Sequence, residues 1–411
     1  MAKKSKIMSN SMDTTESVST YTDTIQDLCK SINKKISGAG GGASIMGKGL
    51  TSVEIPFFIP TGSTILDTII SNREEGGIPI GRIIEMYGAP SSGKSLIASH
   101  ILANTQKMGG IAVYIDTENA INVDFLRTIG VDVNSLILVQ VETVEKVFES
   151  IETIIEGAQE YNPKFITIVW DSLAATSDEK EMEGDYEASG FGMNKAKMLS
   201  KGFRKITQLI GKHNVALVVT NQVRANIGVM FGEKETAPGG FALPFYSSLR
   251  LKISKSALLK ESVTIGDKKV DEVRGVKAKV KIVKSRIGPP LRECEFNIYF
   301  NRGIDDKDSW FDALVARGGI TRPTLQKYHI AFEDGREFDF KRAEWKKLVR
   351  DNDLTDEVRK LLIKSHIITY DSFDDEDLDE ETADVKLVTA DDEVESLEPK
   401  EIFVKDDSEI E

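Results

Sequence analysis

RIIEMYGAPSSGKSLIASHILANTQKMG, residues Arg82–Gly109, decides the fold. The run IIEMY is short and apolar, as a strand buried on both faces would be. GAPSSGKS, Gly88–Ser95, matches G-x-x-x-x-G-K-[S/T], and a helical pattern follows it. Strand, glycine loop and helix in that order form the context in which this motif cradles phosphates. The glycines let backbone N–H groups close around phosphate oxygens, Lys94 adds a positive charge, and the Ser95 hydroxyl suits Mg²⁺. Gly88, Ala89, Pro90, Ser91, Ser92, Gly93, Lys94 and Ser95 are therefore the expected nucleotide-phosphate site. The bland alternative is a glycine-rich turn with an exposed lysine.

Working outward, IAVYID, LILVQV, FITIVWD, VALVVT and LRLKI repeat the apolar strand pattern. Helical stretches such as VEKVFESIETIIEGAQ lie between several of them. This alternation predicts an α/β fold with a mostly parallel central sheet. FITIVWD ends in Asp171, the expected second holder of the metal beside Ser95. IAVYIDTENA places Glu118 at a strand tip, where it would orient an attacking water. A helix N-cap cluster, Asp116-Thr117-Glu118-Asn119, explains the same residues equally well.

The 411 residues carry a net charge of −13, an unpromising sign for a nucleic-acid binder. The charge is concentrated in residues 371–411, where 19 acidic residues face three lysines. The remaining body is slightly basic, at about +3. Cys29 and Cys294 have no metal-ligand spacing, and two cysteines make no disulfide framework. No apolar run is long enough to span a membrane, and the N-terminus has no secretory pattern. The expected location is the cytoplasm.

The chain resembles the RecA recombinase family from about Tyr21 to the acidic tail. PTGSTILDTII with GGIPIGRIIEMYGAPSSGKS is similar to that family's entry into its ATP site, and YIDTENAI to the segment holding its catalytic Glu, here Glu118. NQVRANIGVMFG followed by ETAPGGFALPFY resembles the γ-phosphate sensor and mobile DNA loop, which implies Gln222 as sensor and Val223–Gly239 as loop. VKIVKSRIGPP resembles the segment whose two cations reach the neighbouring subunit's ATP, here Lys284 and Arg286. Phe125 stands where the family has an adenine-stacking Tyr, and Pro244 where bacterial members often have Lys. With the long N-terminal extension, these departures suggest a divergent member and allow a phage-encoded one.

The resemblance implies a RecA-type ATPase core, residues 61–307, that uses ATP and Mg²⁺. A disordered segment 1–20 and a helix–strand polymerisation element 21–60 would precede it. A small α/β DNA-gating domain, 308–370, and an acidic disordered tail, 371–411, would follow. The expected function is DNA pairing and strand exchange on single-stranded DNA, with duplex DNA and further copies of the chain as partners in a helical filament and no membrane partner. The rivals are a hexameric helicase and a non-hydrolysing mediator.

Physical chemistry points the same way for DNA. Glu181–Gly192 and Arg224–Gly240 are polar, glycine-rich segments after strand ends, the ligand edge of an α/β sheet. Arg224, Ile227, Gly228, Val229, Met230, Phe231, Gly239 and Gly240 are the candidate contacts, apolar groups suiting insertion between bases and Arg224 suiting phosphate. A short core strand at Ile227–Phe231 is the alternative. For Lys277, Lys279, Lys281 and Arg286 the alternation in VKAKVKIVKSR also allows a solvated strand face. The cations of 308–366, Arg322, Lys327, Lys341, Arg342, Lys346, Lys347 and Arg350, allow either a duplex-binding face or ordinary solvated surface. The tail is expected to compete with DNA or merely to solubilise.

Overall fold

A computed structural model of the chain describes residues 14–36, 43, 45, 55–183, 191–225, 235–236, 238–265 and 268–369. Residues 1–367 cluster as one unit and 368–411 as another, of which Ile368 and Thr369 alone are described.

Nine strands form the main sheet. From one edge to the other they are Gly303–Asp305, Glu293–Tyr299, Lys268–Ser285, Leu249–Ile265, Ile83–Gly88, Val215–Gln222, Ile166–Asp171, Ile111–Asp116 and Leu136–Gln140. The last six run parallel, and the antiparallel hairpin Leu249–Ser285 leads to the first two. Every residue of Ile166–Asp171 is buried, as expected of a strand covered on both faces. The apolar runs named above all fall on strands.

Helices cover both faces. Lys94–Lys107 and Thr64–Ser71 bury Ile97, Ile101, Leu66 and Ile69 with Met86 and Val218. On the other side Val144–Ala158 and Phe191–Lys212 bury Val147, Ile151, Phe203 and Ile206 against Ile168 and Trp170. Amphipathic periodicity dictates these contacts. The N-terminal helix starts at Thr14, before the expected Tyr21, and ends at Ile36. Its apolar stripe remains open, with Leu28 and Ile32 exposed.

The C-terminal segment holds the helices Asp306–Ala316, Trp345–Asp351 and Thr355–His366 and a hairpin, Tyr328–Ala331 with Glu337–Phe340. The expected boundary at 307/308 falls inside its first helix. Its apolar residues Trp310, Leu314 and Trp345 join the same cluster as the sheet, so this segment shares its core with the main sheet. Trp345 is fully buried, packs edge-on to Phe311 at 5.6 Å between ring centres, and donates its indole N–H to Lys307 O at 3.0 Å. Trp345→Ala should cost about 3–5 kcal/mol, readable as a lower denaturant midpoint with an unchanged slope.

Candidate active site

The carboxyl ends of four parallel strands carry the predicted chemistry. Gly88 lies opposite Gln222, and Asp116 opposite Asp171. The loop after Gly88 turns sharply through Ser91, at φ 56°, and Gly93, at φ 104°, into the helix that begins at Lys94. Glycine is needed at both ends of this loop. A Cβ on Gly88 would lie 1.9 Å from Ile253 O, and one on Gly93 2.8 Å from Ile298 Cδ1.

Lys94 is buried, and its ammonium donates to Gly88 O at 3.1 Å and Ala89 O at 2.9 Å. Burial lowers its pKa, and the Asp171 and Glu118 carboxylates oppose that shift. Asp171 accepts from Tyr114 Oη at 2.6 Å and from Thr220 Oγ1. Burial, then the neighbouring Asp171 charge, pushes the Tyr114 phenol above its ordinary range, so it stays a donor.

Glu118 resolves the ambiguity left by its sequence. Asn122, whose Oδ1 accepts from Phe125 N at 3.0 Å, caps the following helix. Asp116 Oδ1 accepts from the Glu118 backbone at 3.1 Å and shapes the turn. The exposed Glu118 side chain is not a cap. Its Oε1 accepts from Ser172 Oγ and from Gln222 Nε2 at 3.1 Å. The structure therefore brings Lys94, Glu118, Asp171 and Gln222 to one edge of the sheet. Phe125 stands on the helix Val123–Ile129, partly buried against the main core.

The residues fit a nucleoside triphosphate with its metal. Ser92 Oγ is buried without a hydrogen-bond partner, a group that a phosphate oxygen would satisfy. The backbone carbonyls holding Lys94 are replaceable by phosphate oxygens. Ser95 is exposed at the first helical turn, and its hydroxyl with the Asp171 carboxylate is the kind of hard oxygen set that would hold Mg²⁺, the latter through water.

The sequence also matches a known family model. The model of the RecA N-terminal domain matches residues 24–305. The chain belongs to the RecA family. It is 41% identical to Protein RecA of Geobacter sulfurreducens over 265 residues, which covers 64% of this chain and 73% of that protein. Against Protein RecA of Herpetosiphon aurantiacus the identity is 39% over 306 residues, 74% and 79% of the two chains. Against that of Thermus aquaticus it is 40% over 265 residues, 64% and 73%. RecA proteins are recombinases of DNA recombination and repair, and this chain is one of them. The family consists generally of DNA-dependent ATPases that use ATP and Mg²⁺, bind single-stranded and duplex DNA, and self-assemble. These relatives are bacterial, which leaves a phage origin without support. Among the described residues no helix is long and apolar enough to cross a membrane.

Lys284 and Arg286 do not join this RecA site within one chain. Lys284 pairs in register with Arg250, which pairs with Glu85, toward the amino end of its strand. The phosphate loop leaves the other end of that strand. Lys284 Nζ donates to Pro244 O at 2.8 Å and Phe245 O at 3.0 Å, and Arg286 is exposed. The solvated-face alternative describes their neighbours better: Lys279 pairs with Glu293 at 2.8 Å and Lys277 with Asp312 at 3.1 Å.

Of the candidate DNA contacts, Ile227, Gly228, Val229, Met230 and Phe231 lie outside the described residues, and Arg224 is described in its backbone strand alone. Gly239 and Gly240 are in place, at φ 100° and 68°, against Leu173 and Ala196 respectively. Beside them runs a feature the sequence reading missed. Lys197, Ser200, Lys201 and Arg204 line a groove of about 380 Å³ on the helix Phe191–Lys212. Their spacing of three and four residues was the available signal. In the C-terminal segment the basic face is interrupted. Arg342 pairs with Asp308 at 3.0 Å, Lys346 with Asp305 at 2.7 Å and Arg350 with Asp351 at 2.9 Å.

Proposed function

We propose that this RecA chain forms helical filaments on single-stranded DNA and catalyses homologous pairing and strand exchange, with ATP hydrolysed to ADP and phosphate between adjacent copies. The observation that carries the proposal is the split site. The phosphate loop, Glu118, Asp171 and Gln222 share one sheet edge, while Lys284 and Arg286 lie toward the opposite end of the strands. A lone chain cannot bring the two sets together, whereas a head-to-tail neighbour does.

The backbone of Gly88–Ser95 and the Lys94 ammonium would hold the phosphates, and Ser95, with Asp171 acting through water, would hold the metal. Phe125 covers the base. Bound ATP and Mg²⁺ supply a transferable phosphoryl group with its charge partly neutralised. Glu118 orients the water and accepts its proton. Gln222, already hydrogen-bonded to Glu118, would donate instead to the γ-phosphate, which shifts the start of the segment Val223 opens. Lys284 and Arg286 of the next copy stabilise the charge that develops in transfer.

Two open surfaces fit polymerisation. In the stripe Ile25, Leu28, Cys29 and Ile32 the residues Leu28 and Ile32 are exposed and Ile25 and Cys29 half-buried, and the edge strand Leu136–Gln140 exposes Ile137 and Leu138. An unpaired apolar strand edge is a template for another chain, and the N-terminal element of a neighbour would cover it. The groove of Lys197, Lys201 and Arg204, flanked by Gly239 and Gly240, provides a track for the DNA backbone. The cytoplasm is the proposed location.

The interface assignment has a direct test. Arg286→Ala should impair hydrolysis when assayed alone. Mixed with Lys94→Ala subunits it should recover part of the rate, because some interfaces then pair an intact phosphate loop with an intact Arg286. A mixture no more active than its components at any ratio contradicts catalysis across the interface.

A further inference from the structure

One acidic residue stands in the middle of an apolar strand. Glu85, in the strand Ile83–Gly88, is fully buried. Its Oε2 accepts from Arg250 Nε at 2.5 Å, and its Oε1 from Asn221 Nδ2 at 3.4 Å. The Arg250 guanidinium also lies over the Tyr87 ring, 4.9 Å from its centre. Removing a carboxylate from water is costly unless it is paired and hydrogen-bonded, and this one is held by groups from two other strands.

Each partner of Glu85 leads to a different functional element. Asn221 precedes the sensor Gln222, and its Oδ1 accepts from the Gln222 backbone N–H at 3.0 Å. Its Nδ2 also donates to Pro238 O at 3.1 Å, immediately before Gly239 and Gly240 at the far base of the DNA loop. On the other side, Lys284 lies within electrostatic range of Glu85 and Arg250. Its ammonium donates to the carbonyls of Pro244 and Phe245, in the short helix Ala242–Tyr246 that follows those glycines. The base of the DNA loop thus reaches Glu85 by one route, through Asn221. It reaches Lys284 by a second, through the helix after the loop.

We infer that Glu85 is a positioning residue that couples the DNA loop to the cations serving the neighbouring copy's ATP. The inference rests on the function proposed above. DNA bound beside Gly239 and Gly240 would hold Pro238 and the helix Ala242–Tyr246 in place. Asn221 then presents its amide to one carboxylate oxygen of Glu85, while the other oxygen holds Arg250 beside Lys284. Burial raises the Glu85 pKa and its pairing with Arg250 counters this, so Arg250 is the partner that most favours the charged form. The acid lies between two cations and one amide, an arrangement that transmits a small displacement of the loop to Lys284 without itself touching nucleotide or DNA. Coupling between two sites requires such an element, biased by both.

Glu85→Gln removes the charge and retains the shape and the acceptor facing Asn221. ATP hydrolysis should be measured with and without saturating single-stranded DNA, for the wild type, Glu85→Gln and Asn221→Ala. The expected result is a fall of about tenfold in the ratio of DNA-stimulated to DNA-free rate, with the ATP KM and the DNA-free rate close to wild type. A purely structural role would lower both rates in the same proportion, and that outcome overturns the relay. So does a stimulation ratio equal to wild type in both variants. Asn221→Ala leaves the Glu85–Arg250 pair intact and gives the same readout if Glu85→Gln does not fold. A wild-type chain without any stimulation by DNA would instead contradict the proposed function on which the relay rests, and the relay with it.

Discussion

Lys94→Ala is expected to lower ATP turnover by about 10³-fold or more and to abolish ATP-dependent DNA binding. The ammonium sits buried at the start of its helix, held by the Gly88 and Ala89 carbonyls, with Asp171 and Glu118 close enough to counter the effect of burial on its charge. Those two carbonyls keep the ammonium in place and are weak ligands for it, so phosphate oxygens displace them readily. Without Lys94, two carboxylates would face the triphosphate with one cation fewer. The loss should appear in the rate constant and in nucleotide affinity together, because the charge acts on both ground and transition states. Steady-state hydrolysis and nucleotide binding on the purified variant check this. Turnover near wild type would remove Gly88–Ser95 from the chemistry.

Glu118→Gln should separate binding from chemistry. The amide keeps the shape and the contact with Ser172, and it leaves nucleotide affinity near wild type. It orients water less well and accepts no proton, so hydrolysis should fall by about 10²–10⁴-fold. Complexes with single-stranded DNA and ATP should then outlive those of the wild type. The Gln222 amide, which now donates to Glu118 at 3.1 Å, loses its charged acceptor and should favour the γ-phosphate. Dissociation from a labelled oligonucleotide after dilution measures the lifetime, and faster release than wild type contradicts the role of Glu118.

The nucleotide edge was legible because each of its residues ends an apolar strand. IIEMY, IAVYID, FITIVWD and VALVVT announce strands by composition, and Gly88, Glu118, Asp171 and Gln222 follow at their tips. The order of those strands is not a local property. Glu85 interrupts IIEMY as a single acid, and its partners Asn221 and Arg250 lie 136 and 165 residues further along. Nothing near Glu85 in sequence marks it as paired. The long hairpin Leu249–Ser285 was visible only at its two ends, LRLKI and VKAKVKIVKSR, because between them it runs past the sheet edge into solvent and loses the apolar alternation. The basic face of Phe191–Lys212 has a periodic signal, but it adjoins Gly239 and Gly240 only through tertiary packing. The C-terminal cations left a binding face and an ordinary solvated surface both open in sequence. Folding sets Asp308 and Asp305 against Arg342 and Lys346, and Arg350 pairs with its neighbour Asp351.

Strand exchange between a circular single strand and a homologous linear duplex, with ATP and Mg²⁺, tests the central claim most directly. The account predicts joint molecules that proceed to nicked circular duplex with the wild-type chain and none with Lys94→Ala. A wild-type chain that hydrolyses ATP in the presence of DNA but forms no joint molecules under any condition of salt and Mg²⁺ would contradict it.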